Sequence, residues 1–341
     1  MLLPELDEIL KLKNELSPYG EVIDLGVITR GSRSFPIPAF SIGSRDPDAP
    51  VLGIIGGVHG LERIGTWVAI SYLKHLSSRI AWDESLQDVL KKLRIFFVPL
   101  VNPVGMSMLR RSNGNGVDLM RNAPLDSTDA SFGVGGQSLS SRLPWFRGNK
   151  SQTEAGMELE NRLLLDYVRK QTNESPCALI LDLHSGFGLV DQIWVPYAKS
   201  REVYSRAPEV FALKELLDQV LPHHIYRFEP QSKHYRTHGD IWDYLMLERE
   251  KKGDGRLFLP LTLEMGSWNW VKKNPLQIFS FLGPFNPVKV HRQKRTLRRH
   301  IPLFHFLKSA LSSNRIWTSL SSEKRDSLHR KAVERWYGSA S

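Results

Sequence analysis

Apolar positions in this chain fall into short continuous runs, set apart by longer stretches with helical spacing. Val51–Gly56 and Ala178–Leu183 are apolar at nearly every position. Runs of that length without alternation predict strands buried on both faces. Arg94–Leu100 reads the same way and stops before Asn102-Pro103. Phe258–Leu263 is a fourth strand, in which Pro260 predicts an edge position or an irregular start. Glu5–Leu16, Ile64–Leu76, Met157–Lys170 and Phe211–Leu221 return an apolar side chain every three or four residues, which predicts helices. Strands separated by helices imply an α/β fold with a largely parallel or mixed sheet covered on both faces. Ligands of such sheets bind where strands give way to loops. His59, Asn102, His184 and Glu264 all fall at those ends, and the Gly- and Ser-rich stretch Asp126–Thr153 reads as a long irregular loop beside them. No internal repeat is present.

A length of 341 residues suits one large α/β domain with an appendage, or two ordinary domains. With 41% apolar and 24% charged residues there is ample material for a buried core. The single cysteine, Cys177, excludes an intramolecular disulfide framework and a Cys-rich zinc site; beside an apolar run it reads as a small buried hydrophobe. The first ten residues are acidic and broken by Pro4, unlike a secretory signal, and no apolar stretch has bilayer-spanning length. A cytoplasmic location is the expectation. The net charge of +10 is unevenly spread: residues 291–300 read His-Arg-Gln-Lys-Arg-Thr-Leu-Arg-Arg-His, and Lys324, Arg325, Arg330, Lys331 and Arg335 follow. Such a tail could meet nucleic acid, anionic lipid or an acidic partner. The plainer expectation is the solvated face of C-terminal helices, with Leu303, Phe304, Phe306, Leu307 and Leu311 turned inward.

The candidate chemistry is an ordered set: His59-Gly-Leu-Glu62, Arg111, Asp118, Arg121, His184, Tyr235 and Glu264. An HxxE alone arises readily by chance; the ordered set at strand ends does not. Two imidazoles and one carboxylate can hold a zinc ion and leave a coordination position open. The distance in sequence from Glu62 to His184 excludes a local zinc clip. It fits a site assembled by the fold, in which Asp118 is placed to hold the His59 imidazole. Glu264, in Leu261-Thr-Leu-Glu-Met-Gly, can move a proton at an open metal site. Of Arg111 and Arg121, one can stabilise an oxyanion and the other can grip a substrate carboxylate. His234 and His238 are four apart but lack a third ligand and are followed by Gly239, which favours a loop or cleft. His223-His224, after Pro222, reads as surface.

On these segments the chain resembles the zinc carboxypeptidases, the funnelins of peptidase family M14. The matching segments are Gly57-Val-His59-Gly-Leu-Glu62, Asn102-Pro-Val-Gly105, Arg111-Ser-Asn-Gly-Asn-Gly-Val-Asp118-Leu-Met-Arg121-Asn122, Asp182-Leu-His184-Ser, Tyr235-Arg-Thr-His-Gly239-Asp-Ile-Trp-Asp243 and Thr262-Leu-Glu264. The resemblance runs from Leu25 to Trp270. It implies a mixed, roughly eight-stranded twisted sheet sandwiched by helices, one zinc per chain on His59, Glu62 and His184, and a peptide or acylated amino acid as substrate. Glu264 would be the general base and acid, Arg111 the carbonyl polariser (Arg110 if the loop slips by one), and Tyr235 the residue that closes over substrate. Arg121 would anchor the substrate carboxylate alone or with Asn122, and Trp242 would lie near the specificity pocket. Residues 1–285 would form the catalytic domain and 286–341 a basic helical extension. Met120 departs from the family, which commonly has asparagine there to share the grip on a C-terminal carboxylate. A murein-peptide amidase, a deacylase of the succinylglutamate desuccinylase and aspartoacylase type, and a non-catalytic binder of peptide or polyanion therefore stay open. The Tyr235…Gly239…Asp243 segment favours a carboxypeptidase.

Overall fold

Eight strands build one mixed sheet in the computed structural model, which describes residues 3–148 and 153–338. The strands are β1 (Gly20–Arg30), β2 (Arg33–Gly43), β3 (Val51–Gly56), β4 (Arg94–Val98), β5 (Cys177–Ser185), β6 (Gln192–Val195), β7 (Arg227–Pro230) and β8 (Leu257–Met265), ordered β1-β2-β4-β3-β5-β8-β6-β7. The centre, β4-β3-β5-β8, is parallel. Every residue of β3 and β5 is buried, as expected of strands covered on both faces. The helices are α1 (Pro4–Leu16), α2 (Arg63–Ile80), α3 (Glu84–Leu90), α4 (Pro103–Ser107), α5 (Leu159–Thr172), α6 (Ala207–Val220), α7 (Ile241–Lys251), α8 (Trp268–Lys273), α9 (Val290–Arg299), α10 (Ile301–Ser312), α11 (Arg315–Thr318) and α12 (Ser322–Ala332). Among the described residues no helix is long and apolar enough to cross a membrane.

One expectation is overturned. Pro260 is not on an edge strand: β8 runs between β5 and β6, and Pro260 pairs with Ile180 of β5. The proline is tolerated because β6 pairs with β8 only at Thr262–Glu264, which leaves the flank beside Pro260 without a strand. The hairpin β1–β2 and the short strands β6 and β7 are absent from the hydropathy reading. β2 carries Pro36 and Pro38, β1 is half-exposed and shifts register between Asp24 and Val27, and β6 and β7 have only four residues each.

The C-terminal helices share the buried core. Tyr72 of α2 stacks on Phe304 of α10, with centroids 4.4 Å apart, and Trp336 stacks on Phe228 of β7. Leu303, Phe304, Phe306, Leu307 and Leu311 are buried, and so is Cys177.

Candidate active site

The site forms where the parallel centre of the sheet ends. β3 delivers the chain into a turn that carries His59, and Glu62 sits at the cap of α2. His184 is the penultimate residue of β5 and the register partner of Glu264 on β8. All four side chains are buried, at 2–6% exposure. His59 Nδ1 lies 2.9 Å from Glu62 Oε1, His184 Nδ1 lies 3.0 Å from Glu62 Oε2, and the two Nδ1 atoms are 3.1 Å apart. The Ser185 N–H also donates to Glu62 Oε2. The outer nitrogens are spoken for: His59 Nε2 lies 3.0 Å from Asp118 and His184 Nε2 lies 2.7 Å from Asp182.

Those outer contacts fix the chemistry of the inner atoms. A carboxylate accepts only, so Asp118 and Asp182 require the proton on Nε2 of each ring. In the neutral ring each Nδ1 is then a lone-pair atom, and two such atoms 3.1 Å apart beside a carboxylate call for a cation among them, a metal ion or a proton. Burial opposes charge on His184, yet Asp182 and Glu62 pull its imidazole well above the ordinary range. Burial alone would raise Glu62, but the two imidazoles hold it below the ordinary carboxylate range. Both shifts express the same demand for positive charge. His59, Glu62 and His184 form the group of metal-capable side chains found among the described residues. Donors around a tetrahedral zinc, at about 2.0–2.1 Å from the ion, lie roughly 3.3 Å from one another, close to the spacing seen. The residues therefore fit zinc.

Asp118 and Arg111 brace this centre. Arg111 Nε donates to Asp118 Oδ2 at 2.9 Å and Nη1 to Glu62 Oε1 at 3.0 Å, while Nη2 has no hydrogen bond among the described residues. Arg110 is exposed and outside the cluster. Glu264 accepts from the Phe187 N–H at 3.0 Å; burial first, then the negative charge of Glu62, push its carboxyl up to about 8. A divalent charge at the three donors acts in the opposite direction and favours the carboxylate.

These groups open into a cleft of ≈570 Å³ that also takes in Met120, Arg121, Tyr235 and Asp240. Arg121 is 2% exposed; Nε and Nη2 donate to Val134 O and Nη1 to Met120 O, so neutral carbonyls hold the guanidinium. A buried cation bound only to neutral oxygens suits an anionic ligand. Tyr235 covers it, with the Arg121 Cζ 5.9 Å from the ring, and burial pushes the phenol up to about 12. The chain beyond Tyr235 passes against the Arg121 backbone at Gly239, where at φ +66 a Cβ would lie 1.9 Å from Arg121 O.

Two expected contributors stand elsewhere. Asn122 turns away from the cleft; its amide donates to Arg147 O and accepts from Glu158 N, tying the 119–122 turn to the start of α5. Trp242 lies behind the site, where its indole N–H donates to Asp182 Oδ2 at 2.7 Å. Asp182 itself went unassigned from sequence, although Asp-x-His in a strand puts both side chains on one face. His234 lines the cleft, as its loop position suggests; Phe187 and Trp194, which pack on it, have no sequence signal, and β6, which carries Trp194, is only four residues long. His238 sits in the loop after Tyr235, and His223 is on the surface.

The sequence profile described as zinc carboxypeptidase matches residues 12–266. Carboxypeptidase D of Mus musculus is 30% identical over 91 residues, which make up 24% of this chain and 7% of that protein, so only a small part of the relative is matched. A crystal structure of thrombin activatable fibrinolysis inhibitor superposes with a TM-score of 0.65 at 18% identity, covering 91% of this chain and 74% of that one. Carboxypeptidase A from Helicoverpa armigera gives 0.64 at 18% identity, covering 92% and 72%. At such identity these structures speak for the fold alone, a mixed eight-stranded sheet between helices.

Proposed function

Because this chain belongs to the zinc carboxypeptidase family, we propose that it is a zinc-dependent hydrolase that removes the C-terminal residue of a peptide. One observation carries this reading: three lone-pair donors converge beside Glu264 on the neighbouring strand, all facing one cleft. Zinc held by His59, Glu62 and His184 would supply Lewis acidity to a water and to the scissile carbonyl. Glu264 takes a proton from the attacking water and returns it to the departing nitrogen. Arg111, whose Nη2 has no hydrogen bond among the described residues, faces the oxygen on which charge develops. Arg121 receives the free carboxylate of the peptide, and Tyr235 closes over it. Asp118 and Asp182 keep both imidazoles in the metal-binding tautomer. Residues 1–285 would make up this catalytic unit, with 286–341 docked on it.

Met120 bears on how strictly the enzyme acts at chain ends. It lines the cleft where its side chain can give no hydrogen bond to a carboxylate. Hydrolysis by the zinc-loaded protein of paired peptides with free and amidated C-termini tests the reading. Cleavage of the free form alone is expected. Equal cleavage of both would assign an amidase, and zinc binding without turnover of either would assign a binder.

A further inference from the structure

From Met265 to Ser322 the chain carries ten Lys and Arg and no Asp or Glu, so this one stretch holds the whole net charge of +10. Of the ten, Arg299 pairs with Asp191; the others have no carboxylate partner among the described residues. The same stretch holds a run of large apolar side chains turned to solvent: Leu276 at 76% exposure, Ile278 at 46%, Phe279 at 85% and Phe281 at 66%. Loose packing does not explain them. Gln277, between the first two, is buried and donates to Gly283 O at 2.7 Å and to Asn286 O. Asn286 in turn donates to Leu61 O and accepts from Ile64 N. The loop is pinned from within while its apolar side chains point outward, an arrangement that water disfavours.

The cations lie alongside. Arg292 donates to Trp270 O and Lys273 O, which sets Lys272 and Lys273 beside the start of α9. On α9 the exposed positions are Val290, His291, Lys294, Arg295 and Arg298, one helical face, while Thr296 is buried.

We propose that this face binds the surface of an anionic phospholipid bilayer, with Leu276, Ile278, Phe279 and Phe281 entering the interface and the α9 cations meeting the head groups. Exposed aliphatic and phenyl groups next in the chain to Lys272 and Lys273, which lie beside the cationic helix α9, match a surface that is apolar beneath and anionic above. Nucleic acid offers no place to bury Leu276 and Ile278, and a purely apolar partner leaves the cations unanswered. The loop also supplies Phe285 to the cleft wall, where its carbonyl accepts from Ser185 Oγ, so docking brings the cleft to the bilayer. The surface depends on neither the metal nor the hydrolytic reading.

Co-sedimentation of the full chain with vesicles tests this, using phosphatidylcholine alone and an equal mixture with phosphatidylglycerol. Partition onto the mixed vesicles is expected, with little onto the neutral ones, and added salt should release it. The double substitution Phe279→Ser/Phe281→Ser should weaken partition by more than ~10-fold. Lys294→Glu/Arg295→Glu should weaken it comparably, and both variants should melt as the parent does. Failure of the unmodified chain to bind the mixed vesicles, or binding indifferent to salt, overturns the proposal without recourse to any variant. Full binding by a folded Phe279/Phe281 variant overturns it too. A concentration-dependent dimer abolished by that variant would give the face to a second copy of the chain instead.

Discussion

At the scale of single residues, the site works through what each side chain's far end is bonded to. His59 and His184 offer Nδ1 inward because Asp118 and Asp182 hold Nε2. Glu264 differs from the three donors in having one backbone N–H as its protein partner and burial that favours its neutral form. A group so placed can carry a proton both ways. Under the proposed mechanism Glu264→Gln keeps the shape and removes the proton carrier. Turnover should fall about 10²–10⁴-fold, with zinc content by elemental analysis unchanged; undiminished turnover would remove Glu264 from the mechanism.

At the scale of elements, the metal donors depend on how α2, α7 and β5 meet. α7 reaches β5 through the Trp242–Asp182 bond, so the helix sets the carboxylate that orients His184. Trp242→Phe removes that donor and leaves a smaller aromatic ring. Zinc affinity, measured by competition with a chelator, should drop about 10–100-fold; an unchanged affinity would make Trp242 a packing residue only. α2 lies close on β5 at Gly65, where a Cβ would meet Leu183 O at 2.4 Å, next to His184. Gly65→Ala should cost about 1–3 kcal/mol in urea unfolding, as overpacking does. A stability equal to the parent's would mean that the helix moves aside freely.

For the whole molecule, stability is tied to the metal and to pH. A metal bound only by the folded chain stabilises by mass action, about 2.7 kcal/mol at 100 times its dissociation constant. Chelation should therefore lower the Tm and added zinc restore it; a Tm blind to both would speak against the three donors. Acid acts through His300, where α9 passes into α10. Burial, with the Arg299 charge added, pushes its imidazole down to about 3. Asp191 lies 3.8 Å from Nε2 and is itself paired with Arg299. Folded His300 stays neutral while an unfolded chain takes up a proton below about pH 6.5. Stability is thus complete above that value and declines as pH falls toward 3. His300→Asn keeps a polar atom near Tyr226 Oη and removes the titration. Its Tm should fall less steeply than the parent's between about pH 7 and pH 4, and parallel curves would sink this assignment.

The sequence by itself determined the central strands, the order of chemical groups along them and the three donors. Such features are written locally: an unbroken apolar run marks a strand covered on both faces, and the groups follow where each run stops. It did not determine the hairpin β1–β2, interrupted by Pro36 and Pro38, or the four-residue strands β6 and β7, which are too short for a periodic signal. Only the tertiary structure decided that Asn122 faces α5, that Trp242 supports Asp182 and that Pro260 sits beside a gap rather than at an edge. Each of these depends on which distant segment comes to lie alongside. Side-chain direction toward a remote partner leaves no mark in neighbouring residues, so it is settled when the sheet closes around the site.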